Sequence, residues 1–228
     1  MSYNLGQQTN KAARVRSVFM AALVLACAFG TVTPAAAQTV TRANTPDAIT
    51  PPPGNSEFLV GNAVGTQGYV CLPTSAGGTS WTINSARPEA TLFTNVFGHP
   101  FQIITHFLSI DANPNENAPK PVSLGGNATW QSSLDTSRVW AVVFTKQGGG
   151  SIVAGTDSSC PNSGSIPCLL LQSIGNQKGS TGGHLLANVT FIQRLNTLGG
   201  AAPTTACTVG QTQLVPYTAD YWFYHADE

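Results

Sequence analysis

The segment "LVPYTADYWFYH" (Leu214–His225) reads as a β-strand from its alternation alone. Val215, Tyr217, Ala219, Tyr221 and Phe223 fall on one face, and Thr218, Asp220, Trp222 and Tyr224 on the other, because successive side chains of an extended chain point to opposite sides. The run before it behaves alike. Leu185, Ala187, Val189 and Phe191 share one face, while Asn188, Thr190, Ile192 and Arg194 share the other. One face on a core and one mixed face is the pattern of a sandwich or barrel. "EFLVGNAV", "GYVCL", "TLFTNVF", "FQIITHFLSI", "VWAVVFTK", "SIVAGT" and "IPCLLLQSI" are also strand-sized, and "VWAVVF", apolar on both faces, reads as a central strand. The "QGGG" stretch (Gln147–Gly150) reads as the hairpin connection between two of them.

The 23 Gly and 15 Pro break the chain at short intervals, and only 9% of residues are charged. No segment keeps a 3.6-residue period over helix length; "SARPEATLF" (Ser85–Phe93) alone has the makings of a short helix. The expected fold is therefore all-β: a single antiparallel β-sandwich or barrel-like domain with long surface loops, the longest at Asp111–Asn127.

The first 37 residues read as an address. Lys11, Arg14 and Arg16 precede the apolar run Val18–Gly30, and the small residues Ala35–Ala37 offer a cleavage site before Gln38. The alternative is a lipoprotein signal with Cys27 as the lipidated residue. Cleavage after Ala37 removes three of the ten Lys/Arg and none of the ten Asp/Glu, leaving a net charge of −3. A basic face for nucleic acid is not supported, and no later apolar run is long enough for a membrane helix. Residues 38–56 are polar and Pro-rich and read as a flexible lead-in to a secreted or periplasmic β-domain over 57–228.

Four cysteines follow the leader: Cys71, Cys160, Cys168 and Cys207. An even number in an exported chain suggests two disulfides, for which three pairings exist. Cys160 and Cys168 bracket the turn-rich "PNSGSIP", which could bring them together, and that leaves Cys71 with Cys207. The alternative is free, buried thiols. There is no CxxC, and the histidines are not spaced beside the thiols, so no metal is expected.

Most enzyme templates are absent. The chain has no GxSxG elbow, no HExxH and no Walker loop. GxGxxG with a downstream acid is also missing, so no cofactor is expected. His99, His106, His184 and His225 default to structural or surface roles. Asp135, Asp157 and Asp220 are the acids that a glycosidase-like pair would draw on. Trp81, Trp130, Trp140, Trp222, Tyr217, Tyr221 and Tyr224 form either a carbohydrate-stacking platform or the filling of a β core. Sequons at Asn127 and Asn188 matter only in a glycosylating host.

"GSIPCLLLQ", "FIQRLNTLGGAAPTTAC" and "VPYTADYWFY", in that order, resemble a secreted family of bacteria and fungi defined only as a domain of unknown function. "GYVCL", "PEATLF", "THF" and "TWQSSLDTSRVWA" look like its earlier blocks, so the resemblance runs from Phe58 to Tyr224. It implies that His106, Trp130, Asp135 and Ser137 correspond to the family's histidine, tryptophan and Asp-Gly-Ser motifs. This chain departs by a polar insertion after His106, by Thr136 where glycine is usual, and by Cys168 where tryptophan is usual. Relatives also carry cysteines at the positions of Cys71 and Cys207, which favours that pairing and makes Cys160–Cys168 a local addition. Some relatives bear a malate dehydrogenase name; without a dinucleotide fingerprint that activity is not expected here.

The expected function is a noncatalytic extracellular or envelope binding or structural protein, with a glycan among its candidate ligands. The alternative is an envelope hydrolase using His106 with Asp135; Trp130 and Ser137 are the candidate ligand-binding residues. Arg194, at the end of an apolar run before Gly199-Gly200, is expected to pair with Asp220 of the last strand and fix register.

Overall fold

The computed structural model describes residues 44–109, 127–146 and 148–228, without the side chains of 84–88 and 127. The expected leader with Cys27, the lead-in before residue 44, the loop from residue 111 to 126, and Gln147 lie outside the described residues. The described chain forms β1 (Asn55–Pro73), β2 (Thr79–Val96), β3 (His99–Ser109), β4 (Asn127–Ser132), β5 (Arg138–Val143), β6 (Ser151–Ile152), β7 (Cys168–Gln177), β8 (Val189–Gly199) and β9 (Thr212–Ala226). The antiparallel all-β, barrel-like fold expected from the alternation is what the structure shows. No helix among the described residues is long and apolar enough to cross a membrane.

Each strand from β1 to β4 pairs with the next, β1 also pairs with β9, β9 with β8 and β8 with β7. The pairing of β5 with β7 closes the ring. β6 lies outside it, on the same edge of β7 just beyond β5. The expected hairpin across "QGGG" is therefore absent: β5 and β6 both pair with β7. Phe144 N donates to Leu170 O and Leu170 N donates to Gly150 O, so the chain leaves β7 and rejoins it. Only glycine fits at the rejoining point, because Gly150 has φ +64° and a Cβ there would run into Phe144 O. Residues 85–93, with their helical composition, are likewise strand. Their register against β1 (Glu89↔Thr66, Thr91↔Val64, Phe93↔Asn62) overrides local propensity.

The wall formed by β7, β8 and β9 is apolar on both faces, and two cores result. Inside the ring lie Leu171, Ile192, Tyr217, Ala219, Tyr221 and Phe223, with Leu92 and Ile104 from the far side. Outside it lie Leu170, Phe191, Leu195, Trp222 and Tyr224, covered by Phe144, Ala154, Cys160 and Ile49. Within the ring, β1 sets glycines opposite the large residues of β9, Gly61↔Tyr221 and Gly65↔Tyr217, with the small pair Ala63↔Ala219 between them. This alternation of small and large lets a narrow barrel fill without voids. A Cβ at Gly65 would collide with Glu89 O and Ala90, which marks tight bending between β1 and β2.

Within the expected lead-in, Thr45 and Ile49 contact Gln193 of β8. A single 3-10 turn, Asp47–Ile49, drops Ile49 into the outer core with no exposed surface. Gln193 Nε2 donates to Ile49 O at 2.5 Å, and Tyr224 OH donates to Gln193 Oε1 at 2.9 Å. A buried amide must satisfy both its ends, and Gln193 does so by clasping this segment to β9. Both disulfides form as expected, Cys71–Cys207 and Cys160–Cys168.

Candidate functional site

The ring interior carries the polar chemistry. His106 on β3 stands opposite Trp130 on β4, and the rings stack with centroids 4.0 Å apart and 9° between planes. Tyr221 on β9 meets both at 5.9 Å. His106 Nδ1–H donates to Thr129 O at 2.9 Å, which sets the neutral tautomer. Burial lowers its pKa to about 4, with the positive charge of Arg194 acting the same way and the Thr129 bond opposing. Tyr217 and Tyr221 share a hydroxyl contact of 3.2 Å, and burial pushes the Tyr217 hydroxyl well above its ordinary range. Tyr69 on β1 donates to Gly200 O at 2.6 Å, and burial raises its hydroxyl too. Trp130 Nε1 is buried with no hydrogen-bond partner among the described residues.

Arg194 completes this set. It stands opposite Tyr221 on β8, half-buried, and its Nε and Nη2 donate to Pro167 O at 3.2 and 2.8 Å. Its charge acts on Tyr69, His106 and Tyr217, and among the described residues no carboxylate bonds to it. The expected Arg194–Asp220 pair does not form. Asp220 points to the outer face, opposite Leu195, where Asn62 Nδ2 and Asn196 Nδ2 donate to it at 2.7 and 2.8 Å. Both residues lie on polar-looking faces of their strands, but these are opposite faces of the wall: Ile192 and Arg194 go inward, Asp220 and Trp222 outward.

Asp135 is a latch. Ser137 N, Ser137 Oγ and Leu185 N donate to its carboxylate at 3.1, 2.6 and 2.8 Å, and Leu186 N donates to Ser137 Oγ at 2.9 Å. Partial burial, the largest single influence, pushes the carboxyl up, yet the hydrogen bonds from Ser137, Leu185 and Ser132 together outweigh it and hold the pKa at about 2. Thr136, between them, has φ +60°, which accounts for glycine being usual there. The geometry does not bring His106 and Asp135 together: every partner of Asp135 lies in its own turn or at Leu185, and His106 faces Thr129, Trp130 and Tyr221. Ser137 is fully buried in the latch, and Trp130 is buried in the core. Neither is an open ligand contact.

The aromatic platform is also withdrawn. Trp130, Trp140, Trp222, Tyr217, Tyr221 and Tyr224 are all buried, so the filling of a β core is the outcome. Trp81 is half-buried and donates through Nε1 to Thr205 O. Among the described residues no group of three His, Cys, Asp or Glu is placed to hold a metal ion. Sequence reasoning missed Tyr69 entirely. It had placed Tyr217 and Tyr221 on one face without seeing that Arg194 would join them.

Fold and site together define an antiparallel barrel whose aromatic interior holds one arginine. The chain belongs to the family described as a protein of unknown function, DUF3455, whose match spans residues 52–225. No curated protein and no solved structure matches it significantly.

Proposed function

We propose that this is a noncatalytic binding domain, exported by its leader, whose barrel takes a small anionic ligand at Arg194. The observation that carries this reading is half-buried Arg194, opposite Tyr221 on the neighbouring strand, whose guanidinium bonds to the Pro167 carbonyl and whose charge acts on Tyr69 and Tyr217. A guanidinium with donors to spare in a partly desolvated setting recognises carboxylate or phosphate oxygens. Catalysis finds little support. The histidine is neutral, stacked and bonded to a carbonyl, and the carboxylate of Asp135 is engaged by Ser137 and Leu185.

The test is thermal unfolding of the purified chain with acetate, benzoate or phosphate added in turn. At least one should raise the melting temperature in the wild type, and Arg194→Gln should remove that rise while folding normally. Equal stabilisation of the Arg194→Gln protein, or none in the wild type, rejects the reading. Turnover of an ester or glycoside that Asp135→Asn abolishes in a folded protein would replace it with the hydrolase.

A further inference from the structure

The hairpin of β2 and β3 runs past its neighbours. β1 pairs with β2 only as far as Phe93, and β4 pairs with β3 only from Ile104, so residues 94–102 form a two-stranded ribbon flanked by no third strand. Its tip is apolar and bare. Phe97 is 90% exposed, and Val96 and Phe101 are 42% and 50% exposed. The register pairs Val96 with His99 and Thr94 with Phe101, so Val96 and Phe101 lie on one face of the ribbon beneath Phe97. Phe97 occupies the first left-handed position of the turn (φ 52°, followed by Gly98 at 84°), where asparagine is the favoured residue and a bulky aromatic is strained. Strain and exposure together give the fold nothing, which points to a role outside it.

We propose that this tip inserts into the interfacial region of a lipid bilayer. The stretch Ala90–Ser109 contains no Asp, Glu, Lys or Arg, so nothing charged must be carried into the headgroup layer. A convex tip needs no shaped socket in lipid, whereas a protein partner must supply one. Each of the described surface grooves sets a carboxylate beside its apolar residues, Glu89 next to Val64, Ala90 and Phe107, Glu228 next to Phe58 and Leu185, and Asp47 next to prolines, so seating the tip of a second copy there would desolvate a charge. Apolar insertion also predicts the lipid dependence: zwitterionic membranes should suffice and salt should matter little, unlike attachment by a basic patch.

The test is flotation of the purified chain with vesicles of pure phosphatidylcholine at low and high salt. The wild type should float with the vesicles in both. Phe97→Asn restores the favoured Asn-Gly turn, so it should melt at or above the wild-type temperature while binding roughly ten-fold or more weakly. Phe97→Trp should bind as the wild type does. A wild type that stays with the buffer, a Phe97→Asn variant that floats equally well, or binding restricted to anionic vesicles at low salt would each overturn the proposal. So would concentration-dependent self-association that Phe97→Asn abolishes without any vesicle binding, which would make the tip a contact between copies.

Discussion

The inner and outer cores share one wall, β7–β8–β9, but they are closed by different means. The outer core is apolar and held by tethers: the Cys160–Cys168 bridge lies in it, and Gln193 clasps Ile49 over it. Thr197 donates to Ile166 O and sits 3.6 Å from both sulfurs, tying β8 to the same loop. The inner core is held by the ring of strands and retains a neutral histidine, tyrosine hydroxyls and a cation. The difference separates the two sides of one sheet: the outer side is fastened by a disulfide and a side-chain clasp, and the ring side encloses polar groups within a hydrogen-bonded barrel.

The largest effect expected concerns the two bridges. Cys71–Cys207 spans 136 residues and Cys160–Cys168 spans 8, so replacing both cysteines by alanine should cost about 5 kcal/mol for the first pair and about 2.5 kcal/mol for the second. Denaturant unfolding of the two double variants measures this. Equal losses would mean that native packing, not chain closure, governs both.

The next effect is confined to the inner core. His106 has its pKa lowered from 6.5 to about 4 in the folded state. Between those values the unfolded chain binds the proton and the folded chain does not. Its stabilising contribution is thus complete above pH 6.5, falls as pH drops through this window, and is gone near pH 4. The loss is on the order of 3 kcal/mol. Asp135 follows: its carboxylate contributes above its ordinary pKa of 3.8, and that contribution disappears as pH falls to about 2. Unfolding free energy measured against pH should show both stages, and His106→Gln should erase only the upper one. An unchanged upper stage would assign it elsewhere.

The outer core should answer to its clasp. Gln193→Ala removes the bonds to Ile49 O and from the Tyr224 hydroxyl and should cost about 1–3 kcal/mol. Limited proteolysis should then cut within residues 44–54. If the clasp acts through the docked segment, Gln193→Ala and removal of that segment should be non-additive in a double-mutant cycle. Arg194→Gln should have the smallest effect on folding, under about 1 kcal/mol, because it removes only bonds to one partly exposed carbonyl.

What could be read from the sequence follows from where information is local. The alternation of β9 placed Tyr217, Ala219, Tyr221 and Phe223 on one face correctly, since a two-residue period needs no knowledge of neighbours. The short bridge was legible because its loop is short and rich in turn residues. Pairing Arg194 with Asp220 failed because polarity was used to match faces, and alternation cannot say which face turns inward. The docking of Ile49 was invisible: its partner is a side chain 144 residues away that binds a backbone carbonyl, and carbonyls leave no mark in composition. His106 and Asp135 looked like a dyad only while their separate neighbours, Thr129 and Leu185, were unknown.

The pairing of β1 with β9 has a consequence in time. The first strand of the ring finds one of its two partners in β9, Thr212–Ala226, the ring strand made last. Until those residues are free, β1 and β8 each present an open edge, and the inner core lacks its aromatic row. Such non-local pairing delays productive folding until β9 has been made. During that delay a chain with so few charges is exposed to edge-to-edge association, so a truncation that stops before Thr212 should accumulate as aggregate rather than as a smaller folded domain.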